Sequence, residues 1–132
     1  MKISIVVNKS LNPGQKANVS AIIMGQMGHD ITEVYTLPVT DISGTNHAGI
    51  TTNVVILDGG SGQLLSLIDF AQKSKVKCIV FSSIGQMLNN NYAEYHLKIS
   101  TSDTENTKIV GVGLYGDDEI VKILTKKFSL TK

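Results

Sequence analysis

Only a few residues in this chain of 132 combine a reactive type with a suggestive spacing. His47 follows Asp41 by six residues and sits in the Gly-flanked stretch Ser43–Gly49. An aspartate beside a histidine can hold an imidazole in one tautomer for acid–base work, and a surface turn histidine is the blander reading. Ser82-Ser83 follows an apolar run, so Ser83 emerges where open α/β sheets receive ligands. Asn8 and Lys9 follow the first apolar run, and Gln15 and Asn18 lie in the helical stretch after it. Asn8, Lys9, Gln15, Asn18, Ser83 and His47 are therefore the candidate pocket residues. None of them completes a recognised catalytic motif.

Several chemistries lack their signatures. The three histidines, His29, His47 and His96, fall on separate segments, and no Cys/His spacing suits zinc, so no metal is expected. The Gly-bearing loops at Asn12–Gly14, Gly59–Gly62 and Gly116 match neither a P-loop nor a dinucleotide fingerprint. Asp58 places a carboxylate at the mouth of the second loop, which disfavours phosphate. No cofactor is expected. The single cysteine, Cys78, lies in Val76–Phe81 and reads as a small buried hydrophobe.

The elements that position these residues follow from hydrophobic periodicity. Ile3–Val7, Asn53–Leu57, Val76–Phe81 and Lys108–Leu114 are short, β-branched runs that read as buried strands. Gln15–Met27 reads as a helix with Ala17, Ala21 and Met24 on its stripe and Gly28 as its stop. Gln63–Lys73 is amphipathic, with Leu64, Leu67, Ile68 and Ala71 on one face. Tyr92–Ile99 is a short helix, and a last helix opens at Gly116 and runs to about Lys127, its acidic first turn suiting the helix dipole. Thr32–Pro38 and Val39–Asp41 carry strand formers. Ser82–Asn91 and Ser100–Asn106 read as irregular, and Ser129–Lys132 trails off. The order β-α-β-β-α-β-α-β-α predicts a single α/β domain over residues 1–132, with a small mixed, largely parallel sheet and helices on both faces.

Composition sets the class. An apolar fraction of 42% supports a core, and a formal net charge of +1 with scattered lysines gives no support for a nucleic-acid partner. No apolar run approaches the ~20 residues of a membrane span. Ile3–Val7 is too short for a signal segment. With one cysteine, a reducing cytoplasm is the expected home.

Three patterns together carry a family resemblance over nearly the whole chain. They are Ile5-Val-Val-Asn-Lys-x-Leu-x-Pro-Gly-Gln-x-Ala-Asn18, Asp41-x-x-Gly44-x-x-His47-x-Gly-Ile-Thr51 and Asn91-Tyr-Ala-Glu-Tyr95. The sequence resembles the uncharacterised family called domain of unknown function 2000, which looks like the peptidyl-tRNA hydrolase type 2 fold. The resemblance implies that fold and not that activity. Where the hydrolase helix begins Gly-Lys, this chain has Gly14-Gln15. The hydrolase glutamine and histidine positions hold Val19 and Ile22. Its Asp-Ala-Gly matches Ser83-Ile84-Gly85, and its early Asp-Leu corresponds to Asn8-Lys9. Neutral groups thus replace charged ones, and efficient peptidyl-tRNA hydrolysis is not expected.

Three functions stay open. The first is a module binding a small molecule or peptide in the candidate pocket. The second is an ester or amide hydrolase using Lys9 or His47. The third is a homo-oligomer built on an exposed edge strand, either Thr107–Leu114 or Thr32–Val39. The binding module ranks first.

Overall fold

Strand β1 (Lys2–Asn8) lies at the centre of a computed structural model that describes residues 1–132. Its alternation divides the core. Ile3, Ile5 and Val7 face one layer, and Val6 faces the other. Helix α1 (Pro13–Asp30) covers the first face and packs through Val19, Ile23 and Met27. Helices α2 (Ser61–Lys73) and α5 (Asp118–Thr125) cover the second, with Leu64, Leu67 and Val121.

The chain begins with β1 and α1, and two short strands follow, β2 (Val39–Thr40) and β3 (Asn46–His47). They pair only with each other, as a hairpin arm. Strand β4 (Asn53–Gly59) leads into α2, and β5 (Lys77–Ser82) leads into the short α3 (Ser83–Met87) and then α4 (Tyr92–Ser100). A 3₁₀ turn at Thr104–Thr107 precedes β6 (Ile109–Gly116), and β7 (Ser129–Leu130) closes the chain after α5. The five-stranded sheet has the order β5-β6-β1-β4-β7.

The sheet is mixed, with helices on both faces. Its single parallel pair is β1 with β4, because β6 inserts antiparallel between β5 and β1 and β7 joins β4 antiparallel. The parallel character expected from β–α alternation is thus confined to strand direction. β1, β4 and β5 all run one way without all being neighbours.

Local differences have local causes. The inward stripe of α1 is Lys16, Val19, Ser20, Ile23 and Met27, not the Ala17–Ala21–Met24 line, because the larger side chains take the sheet. Gly28 does not stop the helix, which runs on to Asp30. It makes room for the Tyr35 ring, whose Cε2 would stand 2.6 Å from a Cβ there. Thr32–Pro38 forms no strand beyond a bridge from Tyr35 to Ile50. Thr107–Leu114 is no edge, since β6 lies between β5 and β1. Ser82–Asn91 contains a helix, and the tail adds β7.

Cys78 is largely packed against the α2 layer, and burial pushes its thiol up to about 11. It is therefore a neutral thiol near pH 7. Ser4, fully buried on β1, has the one buried side-chain oxygen without a partner. Ser4→Ala is expected to stabilise the fold by about 1 kcal/mol, a rise of roughly 4 °C in Tm. A melt showing a lower Tm would mean that the hydroxyl is satisfied in solution.

Candidate functional site

β1 and β4 are parallel neighbours whose following helices leave on opposite faces, α1 on one and α2 on the other. In open α/β sheets the crevice at such a divergence, outside the carboxyl ends of the strands, is where ligands bind. A cavity of about 350 Å³ opens at this end of the sheet. Asn8, Ser61, Leu65, Ser83, Glu105 and Lys108 line it.

Asn8 ends β1 and is buried. Its Nδ2 donates to Ser61 Oγ at 2.9 Å, and its Oδ1 accepts from Ser10 N–H and Oγ at 3.0 and 2.8 Å. One Nδ2 hydrogen is left over, because the amide carries two donors. Ser61 opens α2, after Gly60, whose N–H donates to Gln63 Oε1 at 2.9 Å. Ser83 opens α3, and its backbone N–H donates to the Lys108 carbonyl at 2.8 Å. Lys108 itself is left-handed, with φ 58°, a conformation that costs a non-glycine residue about 1 kcal/mol. The cavity therefore offers an amide, two hydroxyls, a cation, an anion and one apolar wall.

The other sequence candidates divide between this end and the far one. Lys9 continues the ladder, its N–H donating to the Gly59 carbonyl at 2.9 Å, and its side chain is exposed beside Gly60. Gln15 is exposed and closes a capping box. Its Oε1 accepts from Asn12 N–H at 3.0 Å, while Asn12 Oδ1 accepts from Gln15 N–H at 2.8 Å. Asn18 lies on the exposed face of α1 about one turn further on.

His47 sits on the hairpin arm, between the end of α1 and the start of β4. The arm therefore leaves the opposite end of the sheet from Asn8, separated by the seven-residue length of β1, about 20 Å. The expected pairing with Asp41 is there, with His47 Nε2 2.8 Å from Asp41 Oδ2. The hydrogen bond with His47, joined by the Ser43, Gly44 and Thr45 backbone N–H groups, holds the Asp41 carboxyl below the usual range. The structure thus brings Asn8 and Ser83 together, keeps Lys9, Gln15 and Asn18 near the same end, and sets His47 apart.

Lys16, which belongs to no motif, turns inward from α1. Its Nζ lies 3.0 Å from Asp58 Oδ2, with side-chain exposures of 10% and 14%. Asp58 also accepts from Thr131 Oγ1, which ties β7 to the pair. Burial pushes the Asp58 carboxyl up. Hydrogen bonds from Thr131 and Lys16, the Lys16 charge and the Lys132 N–H together outweigh it, and the group titrates below its ordinary value. A lysine spaced three, four and seven residues before Val19, Ser20 and Ile23 was the available signal. Glu105 and Lys108 offered none, since loop closure alone brings them to the cavity.

No helix is long and apolar enough to cross a membrane, and no three His, Cys, Asp or Glu side chains converge to hold a metal ion. The comparison with curated proteins returns no match. Among solved structures, the chain is similar to a protein of unknown function, Atu0240, from Agrobacterium tumefaciens strain C58. The TM-score is 0.87 at 20% identity, over 99% of this chain and 97% of that one. That likeness shows a shared fold. The family described as Protein of unknown function (DUF2000) matches residues 1–132 in full, and the chain belongs to it.

Proposed function

We propose that this chain is a cytoplasmic binding domain for a small polar molecule or short peptide, on a peptidyl-tRNA hydrolase type 2-like framework. The carrying observation is the cavity of about 350 Å³ between the end of β1, the start of β6 and the first turns of α2 and α3, with buried Asn8 at its wall. Small-molecule sites are concave and hold a few fixed polar groups. Asn8 is fixed by Ser10 and Ser61 and keeps a donor free. Lys108 and Glu105 supply opposite charges, which suits a ligand with both an acidic and a basic group. The hydrolase alternative has less support, because the Asp41–His47 pair stands at the other end of the sheet from Gln15 and Lys9.

A thermal-shift panel of amino acids, dipeptides and small carboxylates tests the reading. A ligand present at 100 times its Kd is expected to add about 2.7 kcal/mol of stability. Leu65→Trp, which fills the cavity from its apolar wall, is expected to abolish that gain and leave the fold intact. The proposal fails if no member of the panel raises Tm, or if the filled variant responds as the parent does.

A further inference from the structure

Beyond Tyr35, whose ring rests on Gly28, the hairpin arm is ordered by polar contacts and shows its apolar side chains to solvent. Thr36 N–H donates to the Gly49 carbonyl at 2.7 Å, and Thr51 N–H donates to the Val34 carbonyl at 3.0 Å, fixing its root. Asp41 Oδ1 accepts from Ser43 and Thr45 N–H at 2.9 and 3.0 Å, fixing its turn. Yet every residue from Tyr35 to Ala48 is exposed. Leu37 is 86% exposed, Val39 60%, and Ile42 fully so. An isolated two-stranded hairpin is marginal in water, so an arm that shows its apolar side chains to solvent lacks a covering surface.

The same chain carries an open apolar groove elsewhere. Ile22, Phe81, Gly85, Leu88, Tyr92 and Tyr95 enclose about 240 Å³ between α1, α3 and α4. Met87 and Leu97 are exposed on the same two short helices, α3 and α4. α3 and α4 follow the carboxyl end of β5, whereas the arm leaves the sheet's other end, so an arm does not fill its own groove.

We propose that the arm of one copy seats Leu37, Val39 and Ile42 in the Ile22–Phe81–Tyr92 groove of a second copy, reciprocally about a two-fold axis. About a two-fold axis the contact is isologous, so the arm of each protomer meets the groove of the other. One chain carries both the bare arm and the open groove, so a second copy supplies each with the other. Leu37, Val39 and Ile42 are 86%, 60% and 106% exposed. A standard interface takes ~800 Å² from each partner, more than these three side chains supply alone, so the groove and its rim must contribute to each protomer's share. The polar cavity by Asn8 lies outside this contact.

Sedimentation of the full chain over a concentration series tests the arrangement. The parent is expected to run at twice the 14.2 kDa chain mass. Ile42→Asp and Tyr92→Glu, both at exposed positions, are each expected to give monomers with unchanged circular dichroism and a Tm that no longer rises with protein concentration. Leu37→Asp is the second arm variant, should Ile42→Asp disturb the turn. A monomeric parent overturns the proposal, and so does a dimer that neither class of variant dissociates. Dissociation by the arm variants alone also overturns it, since the arm would then meet something other than the groove.

Discussion

Lys16→Met is expected to lower the unfolding free energy at pH 7 by about 3 kcal/mol, the cost of breaking a buried ion pair on one side. Lys16 and Asp58 are mostly withdrawn from water and meet at 3.0 Å. The variant leaves Asp58 with Thr131 and the Lys132 N–H but no counter-charge. The residual exposure keeps the figure from the upper end of the range, because water reaches part of the carboxylate. The pH dependence has a definite sign. Asp58 is held below its ordinary value of 3.8, so its contribution is complete above that value and is lost as pH falls through the lowered folded value. Without Lys16 the carboxyl rises, and the deficit of the variant shrinks on acidification. Urea melts at pH 7 and near pH 3 read both effects. Lys16→Met combined with Asp58→Leu is expected to recover most of the loss, since an apolar pair of similar size avoids the desolvation cost. A single-variant loss below about 0.5 kcal/mol at pH 7 would place the pair among ordinary surface bridges.

Gly113→Ala is expected to cost about 2 kcal/mol through overpacking, and Gly113→Val more. A Cβ at Gly113 would lie 2.4 Å from Ile23 Cγ2 and 3.0 Å from Met27 Cε. At Gly111 it would lie 2.5 Å from Val19 Cγ1. The two glycines form a flat track on β6 along which α1 rests, so the backbone approach is made by a helix and not by a ligand. The decisive measurement is a double-mutant cycle with Ile23→Ala. Removing the Ile23 branch opens the space that the added methyl group needs, so the double variant is expected to be more stable than additivity allows by at least about 1 kcal/mol. Additive losses would show that α1 does not bear on this track.

Much of the frame was legible before the fold was known. The strands around Ile3–Val7, Asn53–Leu57, Val76–Phe81 and Lys108–Leu114 stand where β-branched runs put them. The α2 face of Leu64, Leu67, Ile68 and Ala71 is buried as its spacing requires. The Asp41–His47 pair was also readable, because both lie in one short turn whose geometry is local. Strand order was not. β6 entering between β5 and β1 is a long-range choice, and it converted an expected edge into an interior strand.

The candidate site divides along the same line. Sequence by itself placed Asn8 and Ser83 at strand ends, because the exit from a buried strand is encoded by local hydropathy. It set Gln15 in the first turn of α1, where the Asn12–Gln15 capping box now accounts for its side chain. Only tertiary structure decided that Asn8 and Ser83 share a cavity with Glu105 and Lys108, that His47 sits on an arm rooted at the other end of the sheet, and that Lys16 turns inward to Asp58. Local propensity acts over a few residues. Which strand ends become neighbours, and which lysine loses its water, depends on contacts between segments far apart in the chain, here 42 residues for Lys16 and Asp58 and 53 for Asn8 and Ser61.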